Sequence, residues 1–178
     1  FDQERMNRYG QLYSVVGPQQ QLATLLYNIG DEYLEAGRIK RAVIMFERAL
    51  DRLPDFWVLK YNVSVAWCQL AASSIDSGDF AKARQYIDKS VQRNPYNALA
   101  YCVKGMLEGA EGNDKEAVQL FLKARKLDLA NPDIPYNLGN IYYDLEKYEE
   151  ALKEYKIALK LDPTEATTYN NLADVYIK

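Results

Sequence analysis

The chain has 178 residues, 48% of them hydrophobic and 26% charged, with a formal net charge of −3. That length suits one domain or one continuous array, and the mixed charge gives no electrostatic reason to expect nucleic acid or an anionic membrane. No apolar run approaches the roughly 18–20 residues a membrane helix needs, and the absence of histidine removes the commonest general base, metal ligand and triad member.

In chain order, Met6, Tyr9, Leu12, Tyr13 and Val16 share one helical stripe that Gly17-Pro18 stops. Residues 1–22 are therefore expected to cap the apolar end of the segment starting at residue 23, with the tail of an earlier degenerate unit as the alternative. The chain begins at Phe1 without an initiator Met or signal-peptide pattern, which reads as a fragment or processed product.

From residue 23 a unit recurs. In residues 132–165, Leu138, Ile141, Tyr142 and Leu145 share a helical face; after a polar turn, Ala151, Leu152, Tyr155, Ala158, Leu159 and Leu161 share another, closed by Pro163. Gly105 and Gly139 are 34 apart, as are Ala117 and Ala151, and Ala124 and Ala158. A fixed period of that size means stacked units, none able to bury its apolar face alone. The units are 23–56, 57–97, 98–131 and 132–165, followed by a lone first helix at 166–178. The second is seven residues too long between Trp67 and Gly78, close to two helical turns, so its first helix is expected to lengthen without rotating its faces. Ser73, Ser74, Asp76 and Ser77 should then lie at its exposed end. Aligned this way, Cys68 and Cys102 sit at different heights on neighbouring first helices and are not expected to pair, which favours a reducing, cytoplasmic setting.

These marks, small residues at unit positions 8, 20 and 27 with proline near 32, resemble the tetratricopeptide repeat. The resemblance covers residues 23–178 and implies an all-α, right-handed α-solenoid of four helix-turn-helix repeats plus a terminal helix. It departs in the third unit, where Lys104 and Glu108 replace large apolar residues. They are four apart and can pair or reach water, either on a slightly rotated helix whose core is Val103, Met106 and Leu107 or as a buried ion pair.

In this family the first helices line a concave groove. Carried over by position, the groove residues here are Tyr27, Asn28, Asp31, Val58, Tyr61, Asn62, Val65, Leu99, Cys102, Val103, Met106, Asp133, Tyr136, Asn137, Asn140 and Asn171. Asparagine amides can hydrogen-bond an extended peptide backbone, although Val103 interrupts their row and packing alone could explain them. Tyrosine offers an apolar face with a polar tip. No groove position carries a cation, which disfavours capture of a terminal carboxylate; the acidic edge at Asp31, Glu35, Asp133 and Asp144 suits a neutral or basic ligand with an apolar anchor.

No Gly-rich phosphate loop, activated cysteine or metal-ligand cluster is legible, so no catalytic residue, metal or cofactor is expected. Glu146, Glu149, Glu150 and Glu154 read as solvated surface, and Lys82, Arg84, Lys89, Arg93, Lys123, Arg125 and Lys126 as a mixed outer face rather than a nucleic-acid stripe. The expected function is a non-catalytic scaffold or adaptor binding a peptide or helix of a partner protein, without nucleic acid or membrane insertion. The alternatives are a self-associating assembly scaffold and the substrate-recognition segment of a larger enzyme.

Overall fold

Four tight turns organise the chain. The structure, a computed structural model, describes residues 17–178. Gly37, Gly78, Gly112 and Glu146 occupy the same repeat position, and all have positive φ: +69°, +75°, +80° and +59°. At each, two N–H groups turn back onto the preceding helix. Gly112 donates to the Gly109 carbonyl at 3.0 Å and Asn113 to that of Glu108 at 2.8 Å; Glu146 and Lys147 repeat the pattern on Tyr143 and Tyr142 at 2.9 and 2.8 Å. This closure satisfies the last carbonyls and needs a left-handed residue, which glycine adopts without steric cost.

Among the described residues the elements are all helices: α1 (Pro18–Glu35), α2 (Ile39–Arg52), α3 (Trp57–Asp76), α4 (Phe80–Arg93), α5 (Ala98–Ala110), α6 (Asp114–Leu127), α7 (Asp133–Asp144), α8 (Tyr148–Leu161) and α9 (Ala166–Ile177). The described chain divides into two compact units that meet between Ala66 and Trp67, inside α3. The expected N-terminal boundary at residues 22/23 falls inside α1. That helix starts at Pro18, whose ring presets the helical φ and whose missing N–H is not needed in the first turn. The stripe from Met6 to Val16 lies outside the described residues.

The extra length of the second repeat is helical: α3 has 20 residues, against 13 in α5 and 12 in α7. Ser73, Asp76 and Ser77 are exposed as expected, but Ser74 is buried. Its hydroxyl bonds back to the Leu70 carbonyl at 2.9 Å, so it needs no water.

Pairs of helices lock through one recurring slot. A Cβ on Gly30 would stand 2.6 Å from the Phe46 ring; on Gly105, 3.0 Å from Phe121; on Gly139, 2.5 Å from Tyr155. The absent side chain at position 8 is thus the space taken by the aromatic ring at position 24. In the first unit this packs α1 on α2 around Ala23, Ala42, Phe46 and Ala49. In the second unit, Cys68, Ala83, Ile87, Val103 and Leu107 form one core cluster. Tyr101, Ala117, Phe121, Ile134 and Leu138 form the next, and Ala151, Tyr155 and Val175 the last.

The third repeat combines both expectations, a core at Val103 and Leu107 and a buried ion pair, but Lys104 is not the partner. Val103 and Leu107 are buried, as expected of the core. Glu108 is also buried, and its ion-pair partner is Arg84 on α4, whose Nη1 donates to it at 2.8 Å. Asn113 donates to its other oxygen at 2.9 Å, and Arg84 Nη2 bonds Glu111. The guanidinium first, and Asn113 with it, hold the Glu108 carboxyl below the usual carboxylate range against the effect of burial. Similarly, Glu154 is not simple solvated surface: both its oxygens accept from Arg125 Nη1 at 2.9 Å, joining α8 to α6.

Candidate functional site

The expected groove residues fall in both units. In the first, Tyr27 packs on Phe46 with ring centroids 5.7 Å apart, and its hydroxyl accepts from Asn62 Nδ2 at 3.0 Å. Tyr61 is 48% exposed, whereas Asn28, Asp31, Val58 and Val65 are half-buried.

In the second unit the expectation must be corrected at two positions. Cys102 and Val103 are each only 3% exposed and belong to core clusters, so neither presents a surface. The reason is that α5 is packed on more than one face: Cys102 joins Tyr101, Phe121 and Ile134, whereas Val103 joins Cys68, Ala83 and Ile87, and Tyr101 is anchored by its hydroxyl to the Pro95 carbonyl at 2.9 Å. Leu99 and Met106 are half-buried against those same clusters. Burial pushes the Cys68 and Cys102 thiols up to about 11 and 12, and both are unpaired thiols.

The surface side chains concentrate on α7 and α9. Asn140 Oδ1 accepts two bonds, from Tyr155 Oη at 2.7 Å and from Asn171 Nδ2 at 2.9 Å; Asn171 also reaches the Tyr136 hydroxyl at 3.5 Å. The Asn171–Tyr136 pair repeats the Asn62–Tyr27 pair of the first unit: position 6 of one repeat donates to the tyrosine at position 5 of the repeat before. Asn137 has Cys102 at the corresponding preceding position, where no phenol exists, and its amide donates instead to the Asp133 carbonyl at 2.7 Å. The asparagines are therefore committed largely to holding helices together, not arrayed as an open ladder.

Two clefts open along this part of the chain. One, about 310 Å³, is lined by Asn140, Tyr143, Asp144, Tyr155, Asn171 and Asp174. The other, about 200 Å³, lies between Asp133, Tyr136, Glu165 and Thr168. Tyr143 packs edge-on against Tyr148, centroids 5.6 Å apart, which fixes one wall. Burial first, and then the neighbouring phenol and carboxylate charges including Asp144, push the Tyr155 hydroxyl up to about 12. It is a hydrogen-bond donor at neutral pH.

Sequence reasoning placed Tyr155 in the core and missed its polar end. The signal was present: Phe46 and Phe121 fill the equivalent slots, and a tyrosine there needs a partner for its hydroxyl. Helices α7 and α9 together carry three aspartates, Asp133, Asp144 and Asp174, and no lysine or arginine. Among the described residues no cluster of three or more His, Cys, Asp or Glu could hold a metal ion, and no helix is long and apolar enough to cross a membrane.

Sequence comparison matches residues 23–56 and 68–132 to the profile described as Tetratricopeptide repeat, and residues 139–178 to one described as TPR repeat. Among curated proteins, the photosystem I assembly protein Ycf3 of Cuscuta gronovii is 34% identical over 79 residues, covering 43% of this chain and 47% of that protein. Protein O-mannosyl-transferase TMTC3 of Homo sapiens is 28% identical over 157 residues, covering 83% of this chain and 17% of that protein. The chain thus spans less than half the length of either relative. Among solved structures, MamA of Desulfovibrio magneticus RS-1 superposes with a TM-score of 0.63 at 21% identity, covering 90% of this chain and 85% of that one.

Proposed function

The chain belongs to the tetratricopeptide repeat family, and from that premise we propose that it is a non-catalytic protein-interaction scaffold that binds an extended peptide of a partner on its first-helix faces. The observation that carries this reading is the pair of clefts along α7 and α9, walled by tyrosines and edged by carboxylates. Half-buried tyrosines supply rigid contact area with a polar tip, and this one surface offers both apolar and hydrogen-bonding contacts. In the first unit, the half-exposed Tyr61 with Asn28 and Asp31 offers the same chemistry. The proposed ligand is neutral or basic, with an apolar anchor, because α7 and α9 present acids and no cation. Assembly of protein complexes is the setting this suits, and the name of the Ycf3 relative points the same way.

The test is selection of a random-peptide display library on the chain, followed by affinity measurement for the selected peptides. Tyr136→Ala and Tyr61→Ala, with helicity checked by circular dichroism, should each weaken binding to their own unit's face by about tenfold, the loss of roughly 1.4 kcal/mol of contact. Selection of no peptide, or unchanged affinity in both variants at intact helicity, would refute the reading.

A further inference from the structure

Resting on that interaction reading, we propose that the cleft between α7 and α9 is the pocket for a basic side chain of the partner peptide, an arginine or a lysine held between Asp144 and Asp174. Three independent features of the cleft lead there. The first is charge balance. Elsewhere in the second unit two arginines meet acids of the following repeat: Arg84 meets Glu108 and Glu111, and Arg125 meets Glu154. Asp144 and Asp174 face one cleft from two different helices and take part in no ion pair among the described residues. Both are exposed and place negative charge at one cleft, which a cation brought by a ligand would balance.

The second feature is the lining. Asn140 Oδ1 is saturated by Tyr155 and Asn171, so the oxygen that could have satisfied a donor elsewhere is fixed, and its Nδ2 has no acceptor among the described residues. That leaves the cleft with carboxylates as its strong acceptors and one amide donor suited to a peptide carbonyl beside the bound side chain. The third is shape. About 310 Å³ accommodates a guanidinium or ammonium group on its methylene stem, and the Tyr143 ring, fixed against Tyr148, offers a flat wall on which a planar cation stacks. A hydrophobic side chain entering the same space would desolvate both aspartates without compensation.

The experiment selects a random-peptide library in parallel on the wild-type chain and on the shape-conserving double variant Asp144→Asn/Asp174→Asn. Expected from the wild type are peptides sharing an arginine or lysine at one fixed position next to an apolar residue, and from the variant none with that position enriched. A selected arginine peptide should bind the variant at least tenfold more weakly. Replacing its arginine with neutral citrulline should cost a similar factor on the wild type and almost nothing further on the variant. Selected peptides with no fixed basic position, or equal affinity for both proteins, would overturn the proposal. If such cation-lacking peptides lose affinity on Tyr136→Ala, the interaction reading stands and only the basic pocket falls. If no peptide is selected at all, both fall.

Discussion

Glu146 is the most direct place to test how this fold is closed. It stands at the turn position where three other repeats use glycine, with φ +59°. A left-handed conformation costs a side-chain-bearing residue about 1 kcal/mol or a little more, because Cβ crowds the following carbonyl. Glu146 is exposed and forms no ion pair among the described residues, so its side chain gives little back. Glu146→Gly removes that crowding but adds disorder to the unfolded chain, an offset of roughly 0.5 kcal/mol. The net expectation is stabilisation of about 0.5–1 kcal/mol, a rise in melting temperature of about 1–4 °C for a chain of this size. The reciprocal change isolates the backbone contribution. A Cβ at Gly112 would meet nothing within 4 Å, so Gly112→Glu should destabilise by a similar amount through φ alone. Thermal and urea melts followed by circular dichroism read both. A lower melting temperature for Glu146→Gly, or an unchanged one for Gly112→Glu, would refute the reasoning.

The remaining expectations concern buried chemistry. Arg84→Ala should cost about 2 kcal/mol in a urea melt at pH 7, below the ~3–5 kcal/mol of a fully buried pair because the guanidinium is partly exposed. Since Glu108 titrates below the usual range when folded, its contribution is present above that range and is lost as pH falls through it; the Arg84→Ala penalty should therefore shrink in acid. Cys68 and Cys102, with thiols at about 11 and 12, should resist alkylation at pH 8 in the native chain and react fully in urea. The unfolded thiols ionise near 9.0 while the folded ones hold their protons, so stability falls as pH rises from about 9 towards 11–12, and Cys102→Ala should reduce that fall. A double-mutant cycle of Tyr27→Phe and Asn62→Ala should show a coupling of about 0.5–1.5 kcal/mol in stability; a coupling near zero would mean that the 3.0 Å bond does not hold the helices.

The fold was legible because its determinants are local and periodic. Gly30, Gly105 and Gly139 announce a close approach, and Phe46, Phe121 and Tyr155 announce what approaches; each pair sits within one helical hairpin, at a spacing readable without knowing anything distant. The second repeat's first helix runs to 20 residues, a length that added helical turns supply without turning its apolar face away. Ser74 was misjudged because serine composition suggests solvent, whereas a hydroxyl bonded to the carbonyl four residues back is self-sufficient and can be buried. Glu108 was harder. Its partner Arg84 lies 24 residues away, in the preceding repeat, and only the packed geometry chooses it over Lys104, four residues away.

The interaction surface was less legible, for a reason specific to repeats. Position rules say which way a backbone position faces on average, but not whether the side chain there is already occupied. Asn62 and Asn171 look like donors waiting for a peptide, yet each has a tyrosine hydroxyl of the preceding repeat within reach. Asn137 follows a repeat with Cys102 in place of that tyrosine, and its amide folds back onto its own helix. Cys102 and Val103 at consecutive positions were assigned outward by the same rule, and α5 buries both. What the rules did preserve is charge: the absence of any lysine or arginine on α7 and α9 is a property of sequence alone, and it survives into the structure as two unpaired aspartates across one cleft. Hydrogen-bonding groups in a repeat surface can be consumed by the neighbouring repeat, so their presence says little about ligands. A charge with no counter-charge among the described residues of the second unit is not consumed there, and it is the feature of this surface that most constrains what a ligand must bring.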